Sequence, residues 1–265
     1  MRALWREHRQ AVSAVLSVAI ACAGLAILGG GAVALAAAQG RSNALPTCPF
    51  WTNATPPVRQ PTPFIPPPSL ASQYSLSGRP PAPKFVSGSL VNGQVTITFD
   101  AVPGAGSYRL WRNAIAVEWV QSTGAATYTV TDPSPCQGAF YTLVANPDGT
   151  TGTEGQLSHP LRLMSNGTVT PWKIPTGQTM PMLVTSYNDG GTTASGYPVG
   201  AGMCAVDPRV VPWGTRFWVP DYGWCYAGDI GTWIQHHTVD VWLPGTEANG
   251  WGVQDRTITI NKQGS

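Results

Sequence analysis

The chain has 265 residues, a net charge of +2 and only 11% charged residues, less than half the share of about 25% in an average soluble domain. This balance excludes a polybasic nucleic-acid binder and an acidic, solvating tail. The 30 glycines, 25 prolines and 11 tryptophans argue against a helical bundle and favour β-rich modules joined by turns and extended linkers.

The first segment, residues 1–40, predicts export from the cytoplasm. Arg2, Arg6 and Arg9 precede an uncharged apolar run that ends in small residues with an A-x-A pattern, as in a secretory signal. The run is also long enough to cross a bilayer, so a cleaved signal peptide and an N-terminal membrane anchor both stay open. In either case the rest of the chain is predicted to be extracytoplasmic, either secreted or membrane-anchored, because the arginines stay on the cytoplasmic side.

Residues 41–80 are predicted to form a linker. Twelve prolines lie between Arg41 and Pro83, which excludes a helix or a central strand and favours an extended, polyproline-like conformation. A stalk through the cell envelope is the preferred interpretation. A ligand for a proline-binding domain is the alternative.

Residues 81–164 are predicted to form a β-sandwich. VTITFDAV and SYRLWRNA alternate polar and apolar residues around the turn PGAG, and TYTVTD and AFYTLVANPDGT supply further strands and turns. Residues 97–110, 128–132 and 140–145 resemble a bacterial fibronectin type III domain, with Phe99 where that family usually has tryptophan. Such modules are spacers or binding platforms, and the single acidic residues here indicate turns rather than a catalytic cluster. Residues 165–179 are predicted to be a second linker.

The last segment, residues 180–265, is predicted to form a small closed β-barrel. TRFWV, VDVWL and RTITI indicate short strands, and DGGTTASG, PDYGW and LPGTEANG indicate turns or loops. Closure into a barrel removes the exposed sheet edges that short strands leave.

Three aspartates in this segment are candidates for chemistry. Asp207 lies in CAVDP, Asp229 in AGDIG and Asp240 in HHTVDVWL. Burial among apolar neighbours raises the pKa of a carboxyl group and can produce a general acid near neutral pH. Each aspartate also has a purely structural interpretation: an Asx turn at Asp207, a turn cap at Asp229, and an ordinary exposed strand position at Asp240.

The ordered set TSYN, TASG, AVDP, GT, AGDIG, VDVW and WGV resembles the three-aspartate (3D) domain of bacterial cell-wall proteins. That family includes the catalytic part of membrane-bound lytic transglycosylase A and the stationary-phase survival muralytic proteins. The resemblance implies an all-β fold, a fibronectin type III-like β-sandwich followed by a six-stranded double-psi β-barrel. It makes Asp207, Asp229 and Asp240 the first, second and third catalytic aspartates, with Asp240 the best candidate for the acid/base.

The activity implied by the resemblance is that of a peptidoglycan lytic transglycosylase. Such an enzyme cleaves the MurNAc–GlcNAc β-1,4 bond of glycan strands without water, gives a 1,6-anhydro product and needs no metal or cofactor. Tyr187, Gly231 and Trp233 are the expected substrate-binding residues, with tryptophan as a stacking face for sugars. After the second aspartate the sequence departs from the family, with isoleucine, glutamine and histidine at positions 230, 235 and 236.

Four cysteines follow the leader, and they allow three pairings in an oxidising compartment. Their spacing fits no zinc site. In the barrel that the resemblance implies, Cys204 and Cys225 lie shortly before the first two aspartates, so a bridge between them would hold two acids in register. Cys48 and Cys136 would then form the other pair.

Two other functions stay open. An inverting glycoside hydrolase on the same barrel would use two of the aspartates around a bound water. A non-catalytic, expansin-like wall-binding protein is the second alternative, and the altered loop 230–236 favours it. A calcium site formed by the aspartates ranks last, since no D-x-D-x-D-G loop is present.

Overall fold

The computed structural model describes residues 44–49, 74–148, 153–172, 174–245 and 250–262. The predicted leader lies outside the described residues, all of which belong to the compact unit Asn43–Ser265. Within those residues, no helix has the length and apolar character needed to span a bilayer. Apart from residues 250–251, which are helical, the described chain consists of strands, turns and loops, which confirms the predicted all-β class.

Two antiparallel sheets form a two-sheet module (residues 85–171). In the first sheet, β2 (Gln94–Asp100) pairs with β1 (Phe85–Val91) on one side and β5 (Thr127–Asp132) on the other. The second sheet contains β3 (Ser107–Arg112), β4 (Ile115–Gln121), β6 (Phe140–Asn146), β7 (Leu161–Leu163) and β8 (Val169–Pro171), in the order β4-β3-β6-β7-β8.

The two sheets enclose one core, to which alternate residues of each strand contribute. From β2 the core receives Val95, Ile97 and Phe99, none of them exposed. Strands β3 and β6 contribute from the facing sheet. The fibronectin type III resemblance of this module stays a prediction. Strand β8 lies within residues 165–179, so the stretch predicted as a linker takes part in a sheet.

The C-terminal segment closes into a six-stranded barrel, which confirms the predicted barrel. Its strands are β9 (Thr179–Tyr187), β10 (Met203–Val206), β11 (Arg216–Val219), β12 (Gly223–Asp229), β13 (Thr238–Trp242) and β14 (Gln254–Lys262). The order around the barrel is β10-β12-β11-β14-β9-β13, with β10–β12 and β9–β13 as parallel pairs. The interior is filled by apolar side chains and the barrel disulfide, among them Val184, Val206, Phe217, Val239, Val241 and Ile260.

Both predicted disulfides are present. Cys204 in β10 is bonded to Cys225 in β12, the neighbouring parallel strand. Cys48 is bonded to Cys136, which fastens residues 44–49 to the two-sheet module.

Residues 74–80, predicted as part of the first linker, pack on the barrel. The ring of Tyr74 stacks on that of Tyr226 in β12, with centroids 6.2 Å apart and planes inclined by 7°. The barrel core also includes Trp111, Val144 and Leu157 from the two-sheet module and its β6–β7 connection. The module and the barrel therefore share buried apolar surface.

Candidate functional site

Two of the three aspartates lie in one row across the outer face of the barrel. Ala205 in β10 pairs with Asp229 of β12 on one side and with Asp240 of β13 on the other. Asp240 in turn pairs with Thr185 of β9. Paired residues of neighbouring strands project to the same face of a sheet. The two carboxylates therefore lie on either side of β10. Between them β10 presents only the methyl group of Ala205.

Asp240 faces outward because its neighbours fill the barrel. In β13, Val239 and Val241 are fully buried in the interior, whereas Asp240 is partly buried on the opposite face. Alternating valines favour a strand with one buried face. Asp240 therefore projects to the opposite side of the strand from Val239 and Val241.

A shift in register brings Asp229 into the same row. Cys204 pairs with Ala227, but the next residue, Ala205, pairs with Asp229 rather than with Gly228. The extra residue is a β-bulge, and bulges re-aim side chains beside functional sites. Without it, glycine would occupy the place of the carboxylate.

Glycine is the residue that this bulge can accommodate. A Cβ atom on Gly228 would lie 2.9 Å from the sulfur of Met203 and 3.3 Å from the hydroxyl of Ser195. That hydroxyl donates a hydrogen bond to the Gly228 carbonyl. The AGD sequence thus combines a crowded bulge with the carboxylate that it aims.

Asp240 has the acidity expected of an acid/base group. Its Oδ1 accepts a hydrogen bond of 2.7 Å from the Thr185 hydroxyl. Burial raises the pKa of Asp240 to about 6, the Thr185 hydrogen bond opposes this rise, and the negative charges of Asp229 and Asp189 add to it. At mildly acidic pH a large part of this group is protonated.

Asp229 is held by backbone donors. The N–H groups of Ala194 and Ile230 donate to its Oδ1 at 2.8 and 2.9 Å. Its own carbonyl accepts a hydrogen bond of 3.2 Å from Nε1 of Trp213. Burial raises the pKa of Asp229, and the two N–H groups, which stabilise the ionised form, limit that rise. Asp229 therefore combines a fixed orientation with a negative charge close to Asp240.

Tyr187 lies beside both carboxylates. Burial raises the pKa of its hydroxyl, and the charges of Asp229 and Asp240 raise it further. The hydroxyl consequently stays protonated, and it donates to the Met203 carbonyl at 3.5 Å. Its role in binding substrate stays a prediction.

Asp207 has a different environment from the other two aspartates. Its side chain is 1% exposed. It forms an ion pair with Arg209, whose Nε donates at 2.8 Å, and Oδ2 accepts a hydrogen bond of 2.6 Å from the backbone N–H of His236. The negative charges that raise the pKa of Asp240 are those of Asp229 and Asp189. The structure thus brings Asp229 and Asp240 together and keeps Asp207 at the base of a loop.

That loop, residues 230–236, carries the other two predicted substrate-binding residues. Trp233 is 53% exposed, as a stacking platform for sugar rings would be. A Cβ atom on Gly231 would lie 2.7 Å from Cγ1 of Ile234, so glycine fits the tight turn. His236 has φ 55°, a left-handed backbone conformation that glycine adopts at the lowest cost. Asp229 and Asp207 hold the two ends of the loop through backbone N–H groups.

Sequence reasoning missed the residues that position the aspartates. TSYN and TASG stand out as motifs in the sequence. Neither motif predicts that Thr185 donates a hydrogen bond to Asp240 or that the Ala194 N–H donates to Asp229. Trp213, which donates to the Asp229 carbonyl, is 1% exposed, and no local sequence pattern marks it as a neighbour of that aspartate. Among the described residues, no group of three or more histidines, cysteines, aspartates or glutamates has the geometry to hold a metal ion.

Comparison with known proteins agrees with this site. The cell wall-binding protein YocH of Bacillus subtilis is 34% identical over 91 residues, which cover 31% of this chain and 32% of YocH. The putative cell wall shaping protein YabE of the same organism is 34% identical over 95 residues, 32% of this chain and 23% of YabE. The similarity thus spans a third or less of either relative. No solved structure matches the chain. Residues 203–262, which contain all three aspartates and five of the six barrel strands, match the family described as the 3D domain, so the family match lies within the C-terminal barrel of this chain.

Proposed function

We propose that this protein acts on the bacterial cell wall and that its barrel cleaves peptidoglycan glycan strands as a lytic transglycosylase. The observation that carries the proposal is the partly buried Asp240, with a pKa near 6, beside the oriented carboxylate of Asp229. The names of the two Bacillus relatives support a cell-wall role. Two disulfides support an oxidising, extracytoplasmic compartment.

In this mechanism one carboxyl group transfers the proton twice. The protonated Asp240 donates to the glycosidic oxygen, the C1–O bond breaks, and the leaving GlcNAc gains a free 4-hydroxyl. Positive charge that develops at C1 of MurNAc is stabilised by the carboxylate of Asp229. Asp240, now ionised, removes the proton from the C6 hydroxyl while O6 bonds to C1. The 1,6-anhydro product forms without water, and Asp240 is protonated again.

A second function, inverting hydrolysis, is favoured by the spacing of the carboxylates. One strand separates Asp229 from Asp240, so their Cα atoms are about 9–10 Å apart. The two side chains project to the same face of the sheet, so their carboxyl groups are expected to be separated by a similar distance. That distance is closer to the about 6.5–9.5 Å by which inverting glycosidases separate their carboxyl groups to admit a water than to the about 5–5.5 Å of retaining enzymes. Asp229 would then activate the water and Asp240 would remain the acid.

The first experiment digests purified peptidoglycan with the full-length protein and identifies the products by mass spectrometry. Anhydro-muropeptides are expected from the wild type and from Asp255→Asn, a control on an exposed residue of the same barrel. Asp240→Asn is expected to give none. Reducing-end products would establish the hydrolase instead. A folded protein that sediments with the wall but releases nothing would indicate a binding protein and refute catalysis.

The pH dependence tests the role of Asp240 separately. Because catalysis starts from the protonated acid, kcat/KM is expected to fall tenfold per pH unit above a midpoint near 6. Thr185→Val removes the hydrogen bond that stabilises the ionised form, so this midpoint is expected to move to higher pH. An unchanged midpoint in Thr185→Val would contradict the assignment of the acid to Asp240.

A further inference from the structure

The Ala194 N–H that donates to Asp229 belongs to a turn that is anchored by residues outside the barrel. Tyr197 closes the site turn (residues 193–197), and its side chain is fully buried. Its hydroxyl donates to the Gly155 carbonyl at 2.7 Å and accepts from the Leu157 N–H at 3.0 Å. Both partners belong to the segment that connects β6 to β7 in the two-sheet module. One phenol oxygen therefore satisfies two backbone groups of a different part of the fold.

Hydrogen bonds within the site turn connect Tyr197 to the residue that donates to the Asp229 carboxylate. The Tyr197 N–H donates to the Thr193 hydroxyl oxygen at 3.0 Å, and this hydroxyl lies 3.1 Å from that of Ser195. Between them, Ala194 directs its N–H to Asp229. The position of that donor depends on the turn, and the turn depends on Tyr197.

A second contact reaches the same aspartate from the same module. Trp111 in β3 packs edge-on against Trp213, with ring centroids 5.2 Å apart and planes at 67°. Nε1 of Trp213 donates to the Asp229 carbonyl. Both the side chain and the main chain of Asp229 are thus positioned by groups in contact with the two-sheet module.

Residues 74–80 reinforce the anchor. The Arg79 guanidinium lies 4.6 Å from the centroid of the Tyr197 ring and donates a 2.6 Å hydrogen bond to the Glu154 carbonyl. The Tyr74 hydroxyl donates to the Pro198 carbonyl, also at 2.6 Å. Tyr197 is enclosed on its outer side by the chain that precedes β1.

We propose that the two-sheet module helps to orient the Asp229 carboxylate of the candidate site. In this proposal Tyr197 is a positioning residue that acts on Asp229 through the site turn. This inference rests on the proposed function for its catalytic consequence. It assigns the module a role other than that of a spacer, and it predicts that the barrel depends on the module for the correct orientation of one of its two carboxylates.

Loss of the Tyr197 hydroxyl has a measurable effect on Asp229. The variant Tyr197→Phe keeps the ring but leaves the Leu157 N–H and the Gly155 carbonyl without this partner. The site turn is then less firmly held, and the Ala194 N–H stabilises the ionised Asp229 less well. Because that hydrogen bond lowers the pKa of Asp229, loosening it raises the pKa.

The test is a carboxyl-carbon NMR titration of the full chain, with Asp229→Asn used to assign the resonance. In Tyr197→Phe the midpoint of Asp229 is expected to rise by about half a pH unit or more. Tyr108→Phe is the matched control, because Tyr108 is equally buried and its hydroxyl accepts a backbone N–H within the two-sheet module. Arg79→Met, which removes only the guanidinium over the ring, is expected to shift the midpoint in the same direction by less. It also provides a test if Tyr197→Phe does not fold.

The outcomes separate this inference from the proposed function. An Asp229 midpoint that is the same in wild type, Tyr197→Phe and Arg79→Met would overturn the positioning role, whatever the activity. A shifted midpoint in a protein that cleaves no peptidoglycan would support the positioning role and reject catalysis. If both hold, kcat is expected to fall about tenfold in Tyr197→Phe with little change in KM, because an oriented charge acts mainly in the transition state.

Discussion

Replacement of Asp240 by asparagine is expected to stabilise the protein at neutral pH. A carboxyl group with a pKa of about 6 in the folded state and an ordinary value of 3.8 costs about 3 kcal/mol of folding free energy once both states are ionised, since each pH unit corresponds to about 1.4 kcal/mol. The penalty is absent below pH 3.8, where both states are protonated, and grows as pH rises to 6. Asparagine cannot ionise, and its amide oxygen can still accept the Thr185 hydrogen bond.

The assay is urea unfolding at pH 4, 5, 6 and 7.5 with the disulfides kept oxidised. The difference in unfolding free energy between Asp240→Asn and wild type is expected to be about 0.5 kcal/mol at pH 4, just above the ordinary pKa, and to rise to about 3 kcal/mol at pH 7.5. Asp255→Asn, on the exposed face of β14, is the control and is expected to stay within about 0.5 kcal/mol of wild type. A gain at pH 7.5 that did not shrink on acidification, or a loss of stability at pH 7.5, would refute the raised pKa of Asp240 and with it the interpretation of Asp240 as an acid.

The other variants are expected to behave differently from Asp240→Asn. Asp207→Ala removes the buried partner of the Arg209 guanidinium and of the His236 backbone N–H. It is expected to lower the unfolding free energy by about 3–5 kcal/mol. A melting temperature within 1–2 °C of wild type would contradict that structural role. Replacing Cys204 and Cys225 by alanine removes a crosslink with a sequence separation of 21 and is expected to lower the unfolding free energy, measured with urea, by about 3 kcal/mol. An unchanged unfolding free energy would mean that this disulfide does not stabilise the barrel. Trp233→Ala is expected to weaken sedimentation with peptidoglycan about tenfold at an unchanged melting temperature, because 53% of the side chain is exposed; unchanged binding would exclude Trp233 from the substrate surface.

Much of the barrel could be predicted because its signals are local in sequence. Alternating valines around Asp240 predict which face the carboxylate takes, and the order of the three motifs predicts the family. The Cys204–Cys225 pair follows once the two strands that carry it are taken as neighbours. In each case a few adjacent residues contain the information.

The remaining features depend on contacts between distant segments. The register shift that aims Asp229 needs β10 beside β12, and no pattern within AGDIG reveals it. Asp207 resembles the other aspartates in sequence. In the fold its carboxylate is occupied by the ion pair with Arg209 and by the hydrogen bond from the backbone N–H of His236. Tyr197 bonds to residues about 40 positions earlier, in a segment that the sequence placed in a separate module.

The Cys48–Cys136 bond also determines what a break in the backbone would do to the protein. Residues 44–49 are joined to the two-sheet module by this bond, and Tyr74 donates a hydrogen bond to the Pro198 carbonyl in the C-terminal segment. A protease that cut one peptide bond between residues 50 and 73 would therefore leave two fragments that are still covalently linked through Cys48 and Cys136. Only a reductant would then separate them.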